Sequence, residues 1–309
     1  MGIAMVDAIG LGKRNERRAE ELNRREERLA RYEAVEVAAQ ERARHRAYDK
    51  ALVPFGDVFS HLRNIGPDDL KAVAEPSGSE PADGEVRRIH SDALRAVAAL
   101  AFGVGASVGL KAGTIAAVGA FATASTGTAI SGLSGAAATS AVLAWLGGGS
   151  LAAGGGGVAA GTLVLGGITA APVLLAAGGL ISWKGRKNLR EQRAAATLLE
   201  EHAADLGVRE ERAAARCKHS RRVRQLLDGL RKETRRRLRA VGGLVDGQDD
   251  YSVYTPAQRA EVDVLVALAG DVVAVMRTPM ADDDGQVPDL SRRVVKEVRR
   301  RLRDIRRAR

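Results

Sequence analysis

Residues 187–206 read KNLREQRAAATLLEEHAADL, and their apolar positions decide the fold. Leu189, Ala196, Leu199, Ala203 and Leu206 follow one another at spacings of seven, three, four and three. A helix places such residues on one stripe, the seam by which it packs along a second helix. The helix predicted here runs from Lys187 to Val241, with Gly207 interrupting the seam, Val223, Leu226, Leu227, Leu230, Leu238 and Val241 widening the apolar face, and Gly242-Gly243 ending it.

On the N-terminal side, residues 15–50 form a second predicted helix, free of Gly and Pro, rich in Glu, Arg and Ala, with only sparse apolar residues such as Leu22, Leu29, Val35 and Val37. It is polar nearly all round, so its stability must come from i,i+4 pairs such as Glu20–Arg24 and Glu21–Arg25 and from a narrow seam against a partner helix. Towards the C-terminus, Thr255-Pro256-Ala257-Gln258 combines a capping box with proline at the first helical position. It opens a helix whose Val262, Leu265, Val266, Ala269, Val273 and Met276 share a face and which Pro279 stops. A last helix after Pro288 opposes Leu290, Val294, Val298, Leu302 and Ile305 to a dense Arg face. No useful strand alternation occurs, so the expected fold class is all-α.

Charge divides the 309 residues unevenly. Residues 1–95 hold 17 Lys+Arg and 18 Asp+Glu, residues 184–240 hold 18 and 8, and residues 241–309 hold 12 of each. The net charge of +10 therefore resides in 184–240. Residues 112–183 contain no Asp, Glu, Lys, Arg or His and carry 17 of the 35 glycines. The opening residues lack a basic n-region, so no secretion signal is expected.

Within this uncharged region, 97–122 and 158–181 are 26 and 24 residues long, and roughly 20 apolar residues suffice to cross a bilayer. The expectation is a glycine-rich hairpin of two membrane spans. Both charged arms would then lie on one side, placed in the cytoplasm by the basic block Lys184, Arg186, Lys187 and Arg190, which would grip lipid headgroups. Small residues recur every fourth position, and Gly105, Gly109, Gly113, Gly157 and Gly161 are the expected close-packing face. Lys111, inside the first span, would face the bundle interior or gate insertion. The expected location is the inner membrane with both termini cytoplasmic, or the cytoplasm before conditional insertion.

The stretch STGTAISGLSGAAAT (125–139), followed by AWLGGGSLAAGGGG (144–157) and LGGI (165–168), resembles a glycine-rich hydrophobic module of uncharacterised bacterial membrane or defence-effector proteins. It is more loosely similar to interferon-inducible glycine-rich membrane proteins and to the apolipoprotein L hairpin. The resemblance covers about 50 residues; it implies membrane association and permeabilisation, and transfers no catalytic residue.

The organisation expected is a charged helical arm (1–75), a linker and helix start (76–95), the hairpin (96–183), a basic coiled-coil helix (184–243) and C-terminal amphipathic helices (244–309). Other chemistry is weakly supported. Gly10-Leu11-Gly12-Lys13-Arg14 lacks the earlier glycine and the Ser/Thr of a phosphate-binding loop. His45, His61, His90, His202 and His219 are scattered and expected on exposed helix positions. Cys217 and His219 point to different parts of a helix, and Asp282-Asp283-Asp284-Gly285 reads as an acidic turn rather than a calcium loop. No catalytic residue, metal or cofactor is expected. The clusters at 221–222, 235–237 and 299–301 could meet phosphates, but most of these arginines should be solvated or paired with the Glu-rich arm. The expected function is a non-enzymatic, oligomerising, membrane-perturbing protein. Its partners would be an anionic bilayer and further copies of itself, with nucleic acid disfavoured. The alternative is a coiled-coil scaffold without permeabilising activity.

Overall fold

The computed structural model describes residues 2–65, 84–102, 189–282 and 284–308. They form an all-α fold, and the described residues contain no strand. In chain order the helices are α1 (Gly2–Ala47), a π-helical turn (Tyr48–Leu52), α2 (Val53–Phe59), α3 (Gly84–Phe102), α4 (Leu189–Gly247), a 3-10 turn (Tyr251–Val253), α5 (Pro256–Arg277) and α6 (Asp289–Arg307).

Helix α1 lies along α4. The side-chain contacts between them join residues 176 to 189 positions apart, among them Asn15 to Gln192, Glu26 to Arg209, Gln40 to Ser220 and Glu36 to Arg224. A near-constant difference in residue number, rather than a constant sum, means that the two helices run parallel. Ala19, Leu22, Leu199 and Leu206 are buried at the centre of the seam, with Leu29 and Ala203 packed beside them. Of the apolar residues expected along α1, Val37 is buried and Val35 departs from expectation, being 63% exposed. Pairs at i,i+4 within α1 are present, as Glu27–Arg31 at 2.9 Å shows, but others form across the seam instead. Arg25, for example, donates through both Nε (3.1 Å) and Nη2 (2.6 Å) to Glu210 rather than binding Glu21.

The other end of this stalk enters a helical bundle. Helix α5 is its hub: Leu265, Val266, Leu268, Ala269 and residues 272–276 are almost wholly enclosed. The one-faced helix expected from the sequence is thus buried nearly all round over that stretch, as an apolar central helix must be. Arg237 pairs with Glu261, so α5 descends antiparallel to α4. Helix α6 returns parallel to α4, with Ser291 at His219 and Leu302 at Gly229. Two glycines permit close approach: a Cβ on Gly270 would lie 3.0 Å from Leu94 of α3, and one on Gly229 would lie 3.2 Å from Leu302.

The capping box is present as read: the Thr255 hydroxyl accepts from the Gln258 amide, and the Gln258 side chain accepts from the Thr255 amide. Gly242-Gly243 does not end α4, which continues to Gly247. Two interior glycines cost about 1 kcal/mol each, but Val241 and Val245 are buried in the core and Leu244 packs against it, which offsets that cost.

The transmembrane reading is corrected: among the described residues no helix is long and apolar enough to cross a membrane. Placement in the inner membrane, and the alternative of a cytoplasmic form awaiting insertion, accordingly find no support in these helices. The candidate spans 97–122 and 158–181 lie outside the described residues except for 97–102. Helix α3, which carries those six residues, is instead docked by Ala93, Ala96 and Val97 into the bundle core.

Candidate functional site

Of the side chains singled out in the sequence, Gly105, Gly109, Gly113, Gly157, Gly161, Lys111, Lys184, Arg186 and Lys187 lie outside the described residues. Arg190 stands exposed in the first turn of α4 and is engaged in an interaction there. The structure brings together a different set of groups, at the joint where stalk meets bundle.

Glu33 and Glu36 project from α1 at a point where α4 supplies Arg216, Cys217, His219, Ser220, Arg221 and Arg224. Glu33 and Arg216 are both buried and directly paired. Arg216 also donates to the Gly285 carbonyl at 2.6 Å, which ties the stalk to the turn before α6. Gly285 adopts φ +72°, a left-handed conformation that glycine supplies without a side-chain clash. Burial pushes the Glu33 carboxyl up, against the opposing pull of Arg216. Glu36 takes Arg224 at 2.8 Å and Arg221 at 3.5 Å. Gln40 accepts from the Ser220 hydroxyl at 3.1 Å. Cys217 is enclosed against Tyr32. Burial is the main cause raising its thiol above the ordinary range, which keeps it protonated and unreactive.

His219 Nε2 lies 2.6 Å from Ser291 Oγ, both buried. Burial, then Arg222 and Arg292, push this imidazole down to about 4, so at neutral pH it is uncharged. Ser291 is 0% exposed, closed to a substrate in this arrangement, and the bond locks α6 to α4. A second buried group, Asp271 of α5, is paired with Arg301 and lies 3.4 Å from His90 Nε2. His202 stands 3.3 Å from Glu26 in the stalk seam. The expectation of exposed histidines is therefore corrected for His90, His202 and His219. The partners named here, Asp271, Glu26 and Ser291, lie 72 or more residues away, where local periodicity carries no information.

Beside the joint, a groove of about 630 Å³ opens between the π-helical turn and α4, lined by Lys50, Pro54, Lys232, Arg235, Arg236, Leu238 and Arg239. A smaller one of about 400 Å³ runs between α4 and the 286–292 segment, past Lys218, Arg222 and Arg292. Asp282 caps the turn at 282–286 by accepting from the Gln286 amide at 2.8 Å; this is the acidic turn expected. Among the described residues no group of three or more His, Cys, Asp or Glu side chains could hold a metal ion. Comparisons with family models, with curated proteins and with solved structures returned no match to the chain.

Proposed function

We propose that this protein is a non-enzymatic helical scaffold in which the α1–α4 stalk and its bundle act as a rigid strut bearing residues 103–188. One observation carries the reading. Leu189 starts α4 near the level of Asn15, whose side chain binds Gln192. Phe102 ends α3 in the bundle, where contacts of Glu85 with Arg293, His90 with Asp271 and Leu94 with Gly270 orient α3 along α4. Counting through Arg237–Glu261 sets Leu94 near residue 228 of α4 and Phe102 near 236. At about 1.5 Å per residue, the two ends flanking 103–188 stand about 70 Å apart along the stalk. Ion pairs across the seam and the buried joint hold that separation, the property a strut requires.

Spin labels at the exposed Arg88→Cys and Arg193→Cys, in a Cys217→Ser background, test the reading by pulsed dipolar spectroscopy. The strut predicts an axial separation of about 45 Å; a distribution centred well under 30 Å would reject it.

The second reading, membrane perturbation with an anionic bilayer and further copies of the chain as partners, is favoured by the uncharged composition of 112–183. Dye release from anionic vesicles separates the two, because a strut leaves the vesicles sealed.

A further inference from the structure

We propose that the groove between the π-helical turn and α4 is a binding site for a small molecule or headgroup carrying two or more phosphate groups. Five of its seven lining residues are cationic and none is acidic. Lys232 is engaged by Asp228 at 2.8 Å and Arg236 by Glu233. Lys50, Arg235 and Arg239 have no carboxylate partner among the described residues, in a protein where most arginines of α4 find one. Three like charges held around one concavity repel one another, an arrangement that a multivalent anion relieves.

The local structure builds this concavity. Tyr48, Ala51 and Leu52 anchor the π-helical turn in the core, leaving Lys50 exposed at the rim. Wider π turns often mark functional positions. Opposite, Lys232, Arg235 and Arg239 occupy positions i, i+3 and i+7 of α4 and so share a face. They span about 10 Å along the axis, room for two or three linked phosphates but more than one phosphate can bridge. Arginine forks match phosphate oxygens in pairs. Pro54 and the buried Leu238 form an apolar floor. No aromatic side chain lines the groove to stack a base, so the phosphates, and not a nucleobase, are what is recognised.

Calorimetric titration of the full chain with inorganic tripolyphosphate tests this. Saturable binding is expected, with ATP binding no tighter than tripolyphosphate. Arg235→Ala/Arg239→Ala should weaken it by about tenfold or more, whereas Arg299→Ala/Arg303→Ala, which removes equal charge from an exposed face of α6, should change it by less than about twofold. Unchanged helix content and melting temperature of both variants would establish that folding is intact. Flotation with phosphatidylcholine vesicles, with and without phosphatidylinositol bisphosphate, identifies the source. Capture that inositol hexakisphosphate reverses indicates a headgroup; binding of the soluble probes without capture indicates a free ligand. No tripolyphosphate binding, equal losses in the two variants, or binding confined to duplex DNA would overturn the proposal.

Discussion

Acidification should loosen the lock between α4 and α6, and His219 sets the size of the effect. The imidazole is 4% exposed and bound to Ser291. Arg222 and Arg292 oppose its protonation, and Lys218, Arg212 and Glu211 complete the charged surroundings. Its folded value of about 4 lies below the ordinary 6.5. The unfolded chain therefore takes up a proton first as pH falls. Stability attached to this group is whole above about pH 6.5, declines through the window from 6.5 to 4, and levels off below it. Between pH 7 and pH 5 the loss amounts to about 2 kcal/mol. Urea unfolding followed by circular dichroism, on the native chain and on His219→Gln, isolates it, since the other titrating groups are common to both. The native chain should lose about 2 kcal/mol more than the variant over that interval. Equal losses in the two proteins would refute the assignment of a buried, neutral His219.

Glu33→Gln should destabilise by about 3–5 kcal/mol, because Arg216 would remain enclosed with its charge uncompensated; chemical denaturation at neutral pH measures it. Thr255→Ala removes the capping box and should cost about 1 kcal/mol, read as a lower melting temperature with unchanged helix content. Cys217 should resist a thiol-specific disulfide reagent in the native protein and react on addition of denaturant, with the rate reporting opening of the joint. A fast native-state reaction would contradict its enclosure.

How far the sequence could be read depended on whether the signal was local. The Thr255–Gln258 cap, the stop before Pro279 and the Leu199–Leu206 seam each rest on contacts within a few residues or on one helical face, and each is present. The seam says that α4 has a partner along its length but carries no direction, since a stripe of leucines packs against either orientation. The parallel pairing is fixed by charged contacts such as Arg25–Glu210 and Glu26–Arg209, across about 185 residues of chain. Asp271 has no local signal of its burial, which depends on His90 of α3 and Arg301 of α6. The groove was half visible as the run Arg235-Arg236-Arg237. Its geometry requires Lys50 from another helix, and Arg237 turns away to Glu261. Gly242-Gly243 reads as a helix end on local entropy alone, whereas the burial of Val241 and Val245 around it carries α4 on to Gly247.

Intramolecular cross-linking tests the parallel register most directly. In a Cys217→Ser background, Asn15→Cys/Gln192→Cys places thiols near the start of the α1–α4 seam and Arg63→Cys/Asp249→Cys places them in the segments that follow α2 and α4, where the native side chains are 3.0 Å and 2.6 Å apart. Under mild oxidation each pair should close within a single chain, while the mixed pair Asn15→Cys/Asp249→Cys should stay open. Efficient closure of the mixed pair, or closure of the matched pairs only between chains, would contradict the account.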